Sequence, residues 1–177
     1  EIDYQDRDQV IYLTLFQPHK KWNRWSPQPQ FAHKLLVTHG GGCGASHGTG
    51  NAPLSDYSGT IPSIPLIADS YITALGKGFG VMSTALDNNG HNCNGVLQAE
   101  SLIMAKEHFI DQYGDVKYTI GTGCSGGSIA QQQVANSYPG GVYNGLIVTC
   151  AFPDDFSTAA EFVDYHLLRR YFENPAK

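Results

Sequence analysis

Ser125 is the side chain whose neighbours best equip it to act as a nucleophile. It sits in Gly123-Cys124-Ser125-Gly126-Gly127, a match to the pattern G-x-S-x-G. A serine at the tip of a strand-to-helix turn is held in a strained backbone conformation. Glycines two before and two after it let strand and helix approach closely. The hydroxyl is then exposed beside N–H groups at a helix start, where a developing oxyanion can be stabilised. Upstream, His39-Gly40-Gly41-Gly42 forms a second cluster with chemical potential. Its glycines leave backbone N–H groups unscreened, so Gly41 or Gly42 would supply one oxyanion donor and Gly126 another. His39 is expected to brace this loop by side-chain hydrogen bonds, not to act as a base. Taken singly, each motif has a plainer reading: a flexible turn at His39–Gly42, a small residue in a tight bend at Ser125. Together, and in this order, they point to acyl transfer on Ser125.

Other chemistries compete for the same residues. Gly121-x-Gly123-x-x-Gly126 also satisfies the dinucleotide-binding fingerprint. That fingerprint opens a βαβ unit and wants an acidic residue at the close of the next strand, about 20 residues on. Here the next strand closes on Thr149-Cys150, and Asp154 and Asp155 come only after Pro153. A dinucleotide-binding domain also leaves the glycine loop at His39 unexplained, so it is the weaker reading. No G-x-x-x-x-G-K-[ST] phosphate loop lies in 40–50. His47 and His91, on separate loops, make a poor metal-ligand set. Asp87-x-Asn89-x-His91 begins like a calcium loop but lacks the glycine at its sixth position and the glutamate at its twelfth. No metal and no cofactor is called for. His108 reads as a structural residue on a long helix.

The elements that must position these residues follow from periodicity and breakers. Gln9–Phe16 reads as a strand, and Lys34–Thr38 as a short buried one running straight into His39. Between them, Pro18, Pro27 and Pro29 with Trp22 and Trp25 describe a surface loop that the tryptophans pack onto the domain. Ala45–Pro65 is a long Gly/Ser/Pro-rich loop of the kind that is usually functional. Leu66–Leu75 is a helix closed by Gly76 and Gly78, and Phe79–Thr84 a strand. Asp87–Asn92 is a turn-rich loop, and Val96–Tyr113 is the longest helix, with Leu102, Ile103, Phe109, Ile110 and Tyr113 at helical spacing. Val116–Gly121 is the strand before Ser125, Ser128–Ser137 the helix behind it, and Gly145–Cys150 another buried strand. Ser157–Phe172 is a last helix, with Phe162, Leu168 and Phe172 apolar. Strands alternating with helices predict an α/β fold, a mainly parallel sheet in a three-layer α/β/α sandwich. Residues 1–177 form one domain.

Composition narrows the partners. The chain has 177 residues and a formal charge of -5, with no Lys/Arg run, which argues against a nucleic-acid partner. Its apolar runs are too short for a transmembrane helix, so no membrane partner is expected. An even count of 4 cysteines, in a Gly-, Tyr- and Asn-rich chain, favours disulfides and a secreted or periplasmic setting. Buried thiols are the alternative.

The order strand, His-Gly-Gly-Gly, helix, strand, helix, Gly-Cys-Ser-Gly-Gly, helix, strand resembles the first two-thirds of an α/β-hydrolase. Cys124 directly before Ser125 resembles the Cys-Ser of the secreted tannase, feruloyl esterase and polyester-depolymerase branch. Phe152-Pro153-Asp154-Asp155 and the helix after it are similar to that group's segment after the sixth strand. The resemblance implies a serine hydrolase cleaving carboxylic esters, small or polymeric, with amide substrates using the same parts. It also implies that Cys124 pairs with a cysteine adjoining the catalytic histidine. By position, a Cys43–Cys93 bridge is a further option, with Cys124 meeting either Cys150 or a cysteine elsewhere.

One departure matters. The triad order in such enzymes is Ser, then Asp or Glu, then His, and His166 is the only histidine after Ser125. Its helical context suits packing or a surface role. Asp154 and Asp155 could serve as the acid, though loop or N-cap roles suit them better. The expectation is therefore a companion polypeptide that carries the acid and base and adds parallel strands beside Gly145–Cys150. A non-catalytic binding module of the same fold is the alternative that an incomplete triad would suit.

Overall fold

The computed structural model describes residues 2–5, 9–12, 21–42, 48, 51–53, 70–151, 156–157 and 160–174. Its elements in chain order are β1 (Ile2–Gln5), β2 (Gln9–Tyr12), β3 (Lys34–Thr38), α1 (Ser70–Gly76), β4 (Gly80–Thr84), α2 (Gly95–Tyr113), β5 (Tyr118–Cys124), α3 (Gly126–Ser137) and β6 (Gly145–Thr149). A π-helical turn, Ala160–Asp164, then leads into α4 (Tyr165–Glu173). The strands form one sheet in the order β1-β2-β4-β3-β5-β6. β1 and β2 pair antiparallel, as do β2 and β4, whereas β4, β3, β5 and β6 run parallel. The architecture is the α/β sandwich with a mainly parallel sheet that the alternating pattern predicts.

Topology places the site. From β3 the chain moves to β4 on one side, and from β5 it moves to β6 on the other. The β3–β5 pair is therefore the point at which the winding reverses, where open α/β sheets leave a crevice beyond their carboxyl ends. β3 pairs with β5 from Lys34↔Tyr118 to Thr38↔Thr122. The backbones at His39 and Gly123 consequently lie side by side at the carboxyl end of this pair.

Side-chain alternation divides the core between the two faces. Leu35, Val37 and Met82 pack with Ala99, Leu102, Ala105 and Phe109 of α2 and Val134 of α3. Leu36 and Val81 point the other way, onto Ala74 of α1. Asn94 caps α2 by accepting from the N–H groups of Val96 and Leu97 at 3.1 and 3.2 Å. Gly114, at φ 105°, ends it with its N–H on the Ile110 carbonyl. Trp22 docks on this core, donating its indole N–H to the Tyr113 carbonyl at 2.8 Å.

Several expectations need correction. Trp25 does not pack the loop down; it is 86% exposed, with the Arg24 guanidinium over its ring. β6 is not a buried strand. It is last in the sheet order, so among the described residues nothing pairs with its outer edge, and Ile147 is 48% exposed. The final helix is interrupted by its π-helical turn, and α4 buries no residue, leaving Leu168 and Phe172 in solvent. Of the Ala45–Pro65 loop, only 48 and 51–53 are among the described residues. No described helix is long and apolar enough to cross a membrane.

Phe109 is wholly buried and Met104, on the same helix, is exposed. Phe109→Ala should cost about 3–5 kcal/mol and Met104→Ala less than about 0.5 kcal/mol in urea unfolding.

Candidate active site

Ser125 stands at the junction of β5 and α3 with φ 55° and ψ -114°, outside the regions an L-residue normally adopts. Such strain persists only when the surroundings over-determine it, and two glycines show how. A Cβ on Gly123 would lie 3.0 Å from the Gly127 backbone, and one on Gly127 would overlap the Gly40 carbonyl and sit 3.2 Å from His39 Cβ. The first turn of α3 thus lies directly against both the end of β5 and the His39–Gly40 segment. Ser125 is half-buried, and among the described residues its hydroxyl has no hydrogen-bond partner. Its own N–H reaches the Cys150 carbonyl at 3.3 Å. Gly126 follows as the first residue of α3, where amides have no partner within the helix.

The glycine loop is tied to the same place. His39 N–H donates to the Thr122 carbonyl at 2.9 Å, and Cys124 N–H to the Gly40 carbonyl at 3.3 Å. Gly40 and Gly42 have φ of 67° and 89°, a left-handed region that a side chain would strain. Gly41 and Gly42 are buried beside Gly90 of the β4–α2 loop. The structure therefore brings Ser125, Gly126, Gly41, Gly42, His39 and Cys124 to one end of the β3–β5 pair.

His39 is buried, and its bonds fix its tautomer. Nδ1 faces the Asp87 carbonyl at 3.4 Å, a group that can only accept, so Nδ1 carries the hydrogen. Nε2 then accepts from the Tyr143 hydroxyl at 2.6 Å. Burial holds the imidazole pKa down to about 4, against a smaller upward effect of the Asp87 carbonyl, so the ring is neutral at pH 7. Burial likewise pushes the Asp87 carboxyl well above its ordinary range, outweighing the Thr84 hydrogen bonds that lower it. Among the described residues Asp87 Oδ1 has no hydrogen-bond partner. A neutral, enclosed imidazole braces a loop; it is not placed to collect a proton from Ser125.

Cys124 forms a disulfide with Cys150, at the end of β6. The pairing with a cysteine adjoining a histidine, implied by resemblance, is thus replaced by a tie between neighbouring strand ends, where Cys124 pairs in register with Thr149. Closing a loop with a sequence separation of 26 stabilises by about 3.5 kcal/mol on chain-entropy grounds. Cys93 is a free, exposed thiol, which removes the Cys43–Cys93 bridge; Cys43, like His47, Asp154 and Asp155, lies outside the described residues. His91 finds no metal-ligand company, since no described group of three His, Cys, Asp or Glu could hold an ion. His166 lies exposed on α4 against Tyr165.

The structure also speaks to the dinucleotide reading. β5 runs through Gly121 and Gly123 to Cys124, so the first two glycines of that fingerprint lie inside a strand, not in a phosphate-binding turn. The space at Gly121 is taken by Leu146, Tyr143 and Gln131. Tyr143 and Asp87 are the site neighbours that residue patterns missed. Gly121 was a signal for Tyr143 alone, because a glycine inside a strand often marks a close approach.

The whole chain, residues 1–177, matches the profile of a tannase-like family of unknown function (DUF6351). No curated protein matches it.

Two outcomes follow from this geometry. Gly127→Ala should cost more than about 2 kcal/mol or prevent folding, whereas Gly145→Ala, with open space around it, should stay within about 1 kcal/mol by thermal or urea unfolding. His39 titrates near 6.5 when unfolded and near 4 when folded, so the unfolded chain takes up the extra proton between those values. The stability tied to its neutral form is complete above about pH 6.5 and drains away as pH falls to 4. Asp87, with its raised folded pKa, pulls in the opposite direction. Comparison with His39→Gln isolates the histidine: relative to that variant, the native protein should lose on the order of 3 kcal/mol between pH 7.5 and 4.

Proposed function

The chain belongs to this tannase-like family, and we propose that within it the chain is the nucleophile-bearing portion of a secreted serine hydrolase that cleaves carboxylic esters. The observation that carries the proposal is the backbone of Ser125, strained at φ 55° and wedged between two glycines that admit no Cβ. That geometry has a cost, and the side chain it presents makes no hydrogen bond among the described residues.

In the proposed reaction Ser125 Oγ attacks the carbonyl carbon of an ester while a histidine removes its proton. The tetrahedral oxyanion is held by the N–H groups of Gly126 and of Gly41 or Gly42. Collapse expels the alcohol, protonated by the same histidine, and water then hydrolyses the acyl-enzyme by the reverse sequence. His39 cannot be that histidine: its Nδ1 carries a hydrogen, its Nε2 lone pair is taken by the Tyr143 hydroxyl, and burial makes the ring a weak base. The base and its supporting Asp or Glu are assigned to a companion polypeptide. The outer edge of β6, unpaired among the described residues, and the exposed apolar residues of the π-helical turn (Val163) and of α4 (Leu167, Leu168, Tyr171, Phe172) offer it a place to pack. The Cys124–Cys150 disulfide supports an extracellular or periplasmic setting. Feruloyl-type aryl esters and polyesters are the substrates proposed first, and an amide would use the same parts. The Ser125 hydroxyl, without a hydrogen-bond partner among the described residues, also suits a second reading, a binding module of the same fold with no turnover.

Fluorophosphonate labelling of the native protein, with any accompanying chain, tests the choice. Labelling at Ser125 that disappears in Ser125→Ala, with ester turnover reduced about 10³-fold or more, is the expected result. Absence of labelling, or turnover indifferent to Ser125→Ala, would leave the binding module as the answer.

A further inference from the structure

Tyr143 lies in the connection between α3 and β6, in no motif, yet it is buried and aimed at the glycine loop. Its hydroxyl meets His39 Nε2 at 2.6 Å, and the two rings meet edge-on at 5.8 Å. The tyrosine is itself held on both sides. Lys106 of α2 donates to the Val142 carbonyl at 3.2 Å, and Asn144 exchanges two hydrogen bonds of 2.8 Å with the backbone of Thr119 on β5. Beneath it, the missing side chain of Gly121 makes room for its ring. His39 in turn is the residue from which the glycine loop departs, with its backbone bonded to Thr122.

We propose that Tyr143 is a positioning residue for the oxyanion loop: through its bond to His39 it fixes the direction in which the Gly41 and Gly42 amides leave β3. The inference rests on the hydrolase reading above. The glycines have no side chains of their own to anchor them. Their orientation is set by what holds each end, and at the near end the backbone bonds of His39 and Gly40 are joined by the imidazole, fully held only while both its nitrogens are engaged. Loss of the hydroxyl leaves the ring packed but frees one of its two bonds, so the amides remain present and lose their aim. An oxyanion hole works by preorganisation, so a loop that must reorient in each turnover weakens the transition state while leaving ground-state binding almost untouched.

The test is Tyr143→Phe in the native protein, with any accompanying chain, assayed on a short p-nitrophenyl ester. The ring and its packing are kept. The expected result is kcat lower by about tenfold or more with KM within about twofold, and affinity for a phosphonate transition-state analogue falling in step with kcat. The double variant with His39→Leu should be no slower than His39→Leu alone, because both remove the same bond. If Tyr143→Phe does not fold, His39→Gln, which can still accept from Tyr143 and donate to Asp87, should retain at least about fivefold more kcat than His39→Leu. The proposal is overturned by a kcat for Tyr143→Phe within twofold of native, by losses that multiply in the double variant, or by equal kcat values for the two His39 variants. Turnover unaffected by Ser125→Ala brings down the hydrolase reading and this one together. Turnover that needs Ser125 but ignores Tyr143→Phe removes only the positioning role.

Discussion

Two backbones at the carboxyl end of the sheet approach more closely than any side chain permits, and the site depends on that approach. The first turn of α3, at Gly127, lies on the carbonyl of Gly40, and Gly123 lies on Gly127. Three segments that are distant in sequence are thereby stacked: the end of β3, the end of β5 and the start of α3. The strain at Ser125 is the geometric consequence. With the helix pressed against both strands, the chain must turn within one residue, and the residue at the corner takes the unusual φ. Backbone strain of this kind costs of order 1–3 kcal/mol, which the packing of α3 on β5 must offset.

A second constraint lies underneath, in the placement of polar groups with no access to water. His39, Asp87, Thr84 and Tyr143 are all buried at the strand ends. Burial favours the neutral form of each ionisable member, and the cluster then works as donors and acceptors, not as charges. Thr84 and Asp87 bond reciprocally, backbone to side chain, and Ser101 of α2 donates to Thr84 at 2.9 Å. Beside them the asparagine-rich β4–α2 loop satisfies itself: Asn88 accepts from the Gly90 amide, Asn92 donates to the Leu86 carbonyl, and Gln98 donates to the Asn92 carbonyl. A partial calcium-loop pattern in the sequence is thus a hydrogen-bonded turn.

What could be read from residues alone was local. β3 appears over the predicted Lys34–Thr38, and α2 and α3 begin within two residues of their predicted starts, because breakers and caps such as Asn94 act on their immediate neighbours. The glycine spacing around Ser125 was legible for the same reason: a steric demand between residues four apart leaves its mark in the sequence. Burial of β6 was misread because a run such as Gly-Leu-Ile-Val-Thr has the same composition whether or not a further strand flanks it. Tyr143 was invisible because its partner is 104 positions away, and no periodicity records a contact of that kind. The disulfide was open for a similar reason, since four cysteines allow three connectivities and only register chooses among them.

The register that chooses Cys150 also bears on how a complete site would be built. A bridge from Cys124 to a cysteine beside the base would tie nucleophile and base covalently. Here the bridge ties the nucleophile strand to β6, and the Ser125 amide bonds to the Cys150 carbonyl at the same point. Ser125 and the glycine loop are thus held by backbone bonds, by the disulfide and by the His39–Tyr143 bond, all within this chain. On the proposed reading the histidine has no such link; its position depends on how well a companion packs against β6 and the apolar side of α4. The division is physically reasonable. Oxyanion donors must be preorganised to be effective, and that requires a rigid framework. A general base needs to come within hydrogen-bond reach of one hydroxyl, a bond that often tightens only when substrate is present. On that proposed reading the most demanding geometry is built into one continuous fold, and the more tolerant contact is left to an interface.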